Sequence, residues 1–389
     1  MTKDTYCTLP FIHSHMSAGG TFKPCCNAFG SNSKHTTRNS NYTLESWFNG
    51  PEMTQLRQDM QEGRRNDLCT RCWQDEDRSG HSIRTRMNQK FAQLASGPPA
   101  IKYLDLKLTN QCNLQCMMCS PQDSNRIGDE AQQMIQQGLP VPINYADGPT
   151  NTLIKSPSIN EINRLLPNIK VLKFTGGEPA IQPEVLTVLD TAIQQGYSKQ
   201  IELNLTTNAT KFNRRLLDKL SEFKQVKLNI SVDGYGTVYD YIRYPFKWSK
   251  WLERIDEIKQ YDIKCSYTAV PQLLNIENLG KLQQHIHEQG DDLYLNNYLH
   301  PDGIWNSIDM IPHNILQYAV QHIKPQSQSV ILINYIKQLL NKPESVPQWR
   351  LDDMVTTLKT FDTMRNRCYN EYLEAQTVEF IEQSGYTVV

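Results

Sequence analysis

Cys112, Cys116 and Cys119 stand in the run Leu106-Lys-Leu-Thr-Asn-Gln-Cys-Asn-Leu-Gln-Cys-Met-Met-Cys119, a Cys-x3-Cys-x2-Cys spacing directly after a strand-like stretch. Three thiolates on one short loop can hold three irons of a [4Fe–4S] cluster. The fourth iron is then left to a small molecule that carries an amine and a carboxylate, and S-adenosylmethionine is such a molecule. The plain alternatives are a zinc site or buried structural thiols. Structural zinc takes four ligands, commonly as two Cys-x2-Cys pairs. No fourth Cys or His is adjacent here, and the next cysteine downstream is Cys265.

A second element follows in Val171-Leu-Lys-Phe-Thr-Gly-Gly-Glu-Pro179, an apolar run that stops at two glycines, an acid and a proline. Gly176 and Gly177 lack Cβ, so the backbone there can approach a ligand closely. Glu178 offers a carboxylate that accepts hydrogen bonds from a ligand ammonium group. Alone, Gly-Gly-Glu-Pro also fits an ordinary turn. Taken together and in this order, the two elements resemble the radical S-adenosylmethionine (radical SAM) superfamily, with its Cys-x3-Cys-x-aromatic-Cys loop and Gly-Gly-Glu-Pro strand end. Met118 departs from the family by standing where an aromatic residue usually lies beside the adenine. It is apolar and polarisable enough to serve there.

These residues need rigid elements to place them. Between residues 100 and 300, strand-like runs alternate with helix-like stretches, which predicts βα units and a parallel sheet. The runs are Tyr103–Leu108, Ile169–Phe174, Ile201–Thr206, Val226–Val232, Cys265–Val270 and Leu293–Asn297. Six units predict a partial (β/α)6 barrel within an α/β fold, and the resemblance implies the same. In parallel barrels the chemistry sits at the C-terminal ends of the strands. Cys112 follows the first run and Glu178 the second. The third and fourth end in Thr206-Thr-Asn-Ala-Thr210 and Ser231-Val-Asp-Gly-Tyr235. The resemblance gives polar groups at these ends to the ribose and methionyl carboxylate, which points to Asn208, Ser231 and Asp233. Arg243 falls where relatives often carry a carboxylate-binding arginine, and its planar fork suits that role. For each, a polar loop or helix cap is the plain alternative.

The first 99 residues form a unit with cysteines of its own: Cys7, Cys25, Cys26, Cys69 and Cys72. Four or five thiolates in this layout suit a second iron–sulfur cluster; tetrahedral zinc is the alternative. The spacing from Cys7 through Gly20 to Cys25 resembles the opening of SPASM and twitch auxiliary-cluster domains, although those usually follow the barrel. The full SPASM series is absent, which favours one auxiliary cluster. Either Cys25 or Cys26 is a ligand, and His13 and His15 are expected as partly exposed loop residues or stand-in ligands. Glu52–Glu62 reads as an amphipathic helix, and Trp73 and Glu76 are expected to pack the Cys69–Cys72 loop onto the barrel.

Formal charge is −1, with 40 basic and 41 acidic side chains, so no overall field favours nucleic acid or an anionic membrane. No apolar run reaches membrane-spanning length and no signal-peptide core is visible, so a cytoplasmic protein is expected. Clustered cysteines in a long chain fit a reducing compartment. Residues 137–168 form a Pro-, Asn- and Gly-rich insertion, a lid or a solvated decoration. Residues 301–389 read as a helical C-terminal extension that caps the barrel or shapes the substrate cleft. Cys265 and Cys368 are expected as small buried hydrophobes.

What the resemblance implies is a reduced cluster that cleaves S-adenosylmethionine to methionine and a 5′-deoxyadenosyl radical, which takes hydrogen from a substrate. It also implies an electron donor such as flavodoxin or ferredoxin. Relatives with auxiliary clusters often modify peptides or proteins by oxidation, cross-linking or epimerisation, so a peptide is the first expectation. A nucleoside, nucleotide or other small metabolite is the second. From another class comes a non-catalytic iron–sulfur or zinc protein that works by binding or electron transfer.

Overall fold

The protein's structure, a computed structural model, describes residues 5–16, 21–28, 43–145, 158–295 and 304–386. Gly20, much of the 137–168 insertion, the end of the Leu293–Asn297 run and the first residues of the C-terminal extension lie outside them. The chain divides into two compact units. The first comprises Met1–Asn110, Leu153–Thr206 and Asp218–Val226, and the second Gln111–Thr152, Thr207–Leu217 and Lys227–Val389. Among the described residues no helix is long and apolar enough to cross a membrane.

In the first unit, β1 (His13–Met16), β2 (Phe22–Lys23), β3 (Tyr103–Leu106), β4 (Val171–Phe174) and β5 (Glu202–Thr207) lie in the order β2-β1-β3-β4-β5. β2 pairs antiparallel with β1, and every other pair is parallel. Successive side chains of a strand point to opposite faces. One face therefore carries Leu104, Leu106, Leu172, Phe174, Leu203 and Leu205, all buried. Buried Val185, Val188 and Leu189 come from the helix Pro183–Gln194, which packs against the helix Ile159–Leu165. Proline in the first turn and acidic Glu184 favour the start of the former helix.

The opposite face is polar along one row. The registers His15↔Asp105, Asp105↔Lys173 and Lys173↔Asn204 align four polar side chains across β1, β3, β4 and β5. Lys173 Nζ donates to Asp105 Oδ2 at 3.0 Å, and His15 Nδ1 lies 3.5 Å from the same oxygen. Burial works against the Asp105 charge, but Lys173 and His15 outweigh it and hold the carboxyl well below the usual carboxylate range. His13 and His15 are thus buried strand residues rather than partly exposed loop histidines. The sequence expectation missed β1 because His-Ser-His-Met carries no aliphatic run, and its pairing with β3 supplies what local propensity does not.

Burial depresses the His13 pKa from 6.5 to about 4, while its Nδ1 lies 2.9 Å from the Pro24 carbonyl and its ring meets the Tyr103 edge. Above about pH 6.5 neither the folded nor the unfolded state holds this proton. As pH falls towards about 4 the unfolded chain gains a proton that the folded chain refuses, so stability is lost over that window. At about 1.4 kcal/mol per pH unit the loss totals about 3 kcal/mol. Denaturant titrations at pH 7 and pH 4 should show a His13→Gln variant losing correspondingly less than wild type. Equal losses in the two proteins would remove His13 from the account.

In the second unit, β6 (Gln225–Ser231), β7 (Lys264–Thr268) and β8 (Leu293–Tyr294) run parallel in sequence order. β6 alternates half-buried and buried residues along its whole length. The extension beyond residue 301 is helical, including His313–His322, Val330–Leu340, Gln348–Arg365 and Ala375–Gln383. The strand runs expected from the sequence are present, with ends shifted by no more than two residues where the described residues cover them, in an α/β architecture.

Candidate active site

The loop that follows β3 is fixed mainly by its own backbone. Gln115 N donates to Tyr244 O at 2.8 Å, Met117 N to Ile242 O at 3.0 Å, and Cys119 N to Cys116 O at 3.1 Å. Cys112 N donates to Asn125 Oδ1 at 2.9 Å, and Ser124 Oγ to Leu114 O at 2.7 Å. Asn144 Nδ2 reaches the Cys119 carbonyl at 2.9 Å. These bonds fix the loop, in which Cys116 is buried and Cys112 and Cys119 are half-buried. The Cys119 thiol bonded to Cys116 holds the Cys116 pKa below the ordinary thiol value, and the Arg243 and Arg365 charges act in the same direction. Among the described residues no three His, Cys, Asp or Glu side chains are already assembled to hold a metal ion. The fit to a cluster rests on donor chemistry: three soft thiols on one loop, beside two buried guanidinium groups.

Asn208 follows β5 and donates to Asn113 Oδ1 at 3.1 Å, with its Nδ2 4.0 Å from Cys112 Sγ. Its Oδ1 accepts from the Thr210 amide and hydroxyl. Between them Ala209 has φ +61, a left-handed conformation that a Cβ makes costly. The structure thus brings Asn208 beside Cys112. Ser231 closes β6 in register with Thr268. Asp233 and Arg243 turn towards each other: Arg243 Nε and Nη2 both lie 2.6 Å from Asp233 Oδ2, and Val270 N donates to Oδ1 at 2.7 Å. Met118 is half-buried, whereas its neighbour Met117 is fully buried.

The Gly176–Pro179 turn belongs to the first unit. Gly176 has φ +76 and Gly177 φ +48. A Cβ at Gly176 would lie 1.9 Å from Lys107 Cγ, so glycine is required both by conformation and by the Lys107 stem. Gln182 Nε2 holds the Gly176 carbonyl at 2.9 Å. Glu178 is fully buried, and its Oε1 accepts from Ala180 N at 3.1 Å. Gly176→Ala should cost about 1–2 kcal/mol in backbone strain alone, with more added by the Lys107 clash. Adding Lys107→Ala should recover only the steric part, as read by thermal denaturation. Full recovery in the double variant would refute the conformational requirement.

The N-terminal cysteines also lie in the first unit. Cys7, Cys25, Cys69 and Cys72 stand within electrostatic reach of one another. Burial pushes the Cys7 thiol up to about 12, with Cys72 adding to the rise. Burial likewise raises Cys25 and Cys69, each further opposed by Cys7. Cys26 is exposed and lies within electrostatic reach of Lys173, Asp105 and Cys72, whereas Cys25 is half-buried and within reach of Cys7 and Cys69. Asn27 Nδ2 donates to Cys72 Sγ at 3.4 Å. Arg84 fastens the parts together: it pairs with Glu76 and gives Nη1 to the Tyr6 carbonyl at 2.7 Å, next to Cys7. Glu76 is therefore the anchor of Arg84, a role its position after Trp73 did not disclose.

Cys265 and Cys368 are both half-buried rather than core residues. Sequence reasoning missed Arg365, Glu130 and Tyr145, which gather beside Met117. Each is far from the cysteines in the chain and carries no motif.

Residues 106–286 match the family model of the Radical SAM superfamily. The matched segment holds the cysteine loop, the Gly-Gly-Glu-Pro turn and β4 to β7. The chain is 27% identical to an uncharacterised protein of Methanocaldococcus jannaschii over 192 residues, 48% of this chain and 58% of that one. It is 22% identical over 203 residues to the GTP 3′,8-cyclase of Rhizobium leguminosarum bv. trifolii, covering 50% of this chain and 51% of the cyclase. The chain thus spans about half the length of these curated relatives. A solved structure of anSMEcpe with bound AdoMet and Kp18Cys peptide aligns with 68% of this chain and 62% of its own, at 15% identity and a TM-score of 0.38.

Proposed function

We propose that the protein cleaves S-adenosylmethionine reductively and uses the resulting radical to abstract hydrogen from a substrate. The observation that carries this is the loop Cys112–Cys119, three thiols on a segment tied by backbone hydrogen bonds within the stretch that matches the family model. Cys112, Cys116 and Cys119 would hold a [4Fe–4S] cluster, which would supply an electron for the sulfonium and a site for the amine and carboxylate of the cofactor. The chain supplies position: Asn208 beside Cys112 offers an amide to the cofactor, Ser231 a hydroxyl, and Met118 an apolar surface for the adenine. Asp233 keeps Arg243 in one orientation, so that the cation stands near the thiols without wandering. Gly176, Gly177, Glu178 and Pro179 form the turn that the resemblance assigns to an ammonium group, and Gln182 holds its Gly176 carbonyl.

The quartet Cys7, Cys25, Cys69 and Cys72 is proposed as a second metal centre in a SPASM- or twitch-like N-terminal region. Full ligation by four thiols suits electron transfer, so the net reaction would be an oxidation. A peptide or protein side chain is the first substrate class, because resemblance to auxiliary-cluster enzymes favours it. A small metabolite is the second, favoured by the similarity to GTP 3′,8-cyclase. Flavodoxin or ferredoxin is the proposed electron source.

The test is anaerobic reconstitution, metal and sulfide analysis, and chromatography of the products from S-adenosylmethionine and dithionite. Formation of 5′-deoxyadenosine is expected; intact S-adenosylmethionine with a loaded cluster would leave a binding or electron-transfer protein. Zinc instead of iron at the N-terminus would remove the auxiliary redox role. Deuterated peptides and deuterated GTP then separate the substrate classes by which one labels 5′-deoxyadenosine.

A further inference from the structure

The helix Gln348–Arg365 ends beside the cysteine loop, in the same compact unit. Asn366, at φ +48, terminates it, and Arg365 lies in its last turn, where a cation meets the negative end of the helix dipole. One turn earlier, Asp362 accepts from Tyr241 OH at 2.8 Å and Tyr386 OH at 2.9 Å, which pins the helix end. Arg365 itself is buried, with 3% of its side chain exposed. Its Nε and Nη2 hold the two carboxylate oxygens of Glu130 at 2.8 Å each, a bidentate pair. The remaining nitrogen, Nη1, donates to Met117 Sδ at 2.9 Å. The guanidinium also lies over the rings of Phe361 and Tyr244, and the Tyr244 carbonyl is the acceptor for the Gln115 amide.

Met117 is flanked by Cys116 and Met118, just ahead of Cys119. A thioether is a weak acceptor, so a buried guanidinium pointed at it adds little bond energy. It does bring a fixed positive charge to the loop. In a low-dielectric surrounding such a charge acts strongly on any centre that gains negative charge.

We propose that Arg365 is a positioning residue for the cysteine loop and sets the reduction potential of the centre held by Cys112, Cys116 and Cys119. This rests on the proposed function. The fork on Glu130 fixes the guanidinium, the Met117 contact fixes the loop, and the charge favours the reduced state. The C-terminal extension is then part of the redox site rather than a cover for it.

The test uses the full chain, reconstituted anaerobically, with the reduced cluster followed by electron paramagnetic resonance during a redox titration without S-adenosylmethionine. Arg365→Met removes the cation and should lower the reduced-to-oxidised ratio about tenfold at the potential that half-reduces wild type, which is about 59 mV for one electron. Glu130→Gln removes the counter-charge and should shift the ratio the opposite way. A packing role alone predicts no such opposition, so shifts of one sign, or none, in both variants would overturn the potential-setting role.

Arg365→Lys keeps the charge and loses the fork. It should hold the potential near wild type while hydrogen exchange of the metal-free 111–120 segment speeds up; unchanged exchange would overturn the positioning role. If Arg365→Met fails to fold, Glu130→Gln and Arg365→Lys still decide the matter. Wild-type protein that takes up no iron on the loop would instead sink the proposed function, and the exchange measurement on metal-free protein would still judge the positioning role.

Discussion

Replacing Cys112, Cys116 and Cys119 together by alanine is expected to bring 5′-deoxyadenosine formation to background and to lower bound iron from roughly eight to about four per chain. Surviving iron is expected at the proposed centre of Cys7, Cys25, Cys69 and Cys72, which lie in the other compact unit. The fold should persist, because the loop is held through Gln115, Met117 and Cys119 backbone amides and through Asn125, Ser124 and Asn144, none of which the substitutions remove. Circular dichroism and the denaturation midpoint check this alongside the iron. Retention of all iron by the triple variant would sink the assignment of the loop.

The second large effect is structural. Asp233 is buried, and its two oxygens serve Arg243 and the Val270 amide. Asp233→Ala leaves a buried guanidinium without a counter-charge and an amide without an acceptor. Breaking such a pair from one side costs about 3–5 kcal/mol, a large part of a stability of about 5–15 kcal/mol. Asp233→Asn keeps an acceptor for Val270 and should fall between. Asp233→Ala combined with Arg243→Met removes both charges and should recover much of the loss. Denaturant titration of the set decides this, and a double variant no better than Asp233→Ala would show that the charge is not the cause.

The same pair shows what the sequence made legible. The strand runs could be read because Leu104, Leu172, Leu203 and Leu228 sit in period-two apolar segments, and the cysteine loop because its spacing is dense and local. Asp233 and Arg243 were each visible as polar residues near a strand end, yet nothing in the chain showed that they neutralise one another. β1 was invisible because two histidines and a serine carry no strand signal, and only its position beside β3 makes them buried. Arg365 was invisible for a related reason: its partners Met117 and Glu130 are more than two hundred residues away in the chain. Nothing in the local sequence separates Cys25 from Cys26, whereas in the structure Cys26 is exposed and Cys25 half-buried.

The parallel pairing of His13–Met16 with Tyr103–Leu106 also orders events during synthesis. A ribosome makes β1 and all five N-terminal cysteines before it makes the strand against which β1 must lie. Until then the segment is an unpaired edge with reactive sulfurs, open to oxidation and to whichever metal arrives first. Chain closure over a long loop is slow relative to local helix formation. The metal content of the proposed N-terminal centre is therefore expected to record iron supply during translation as much as the equilibrium preference of its thiols.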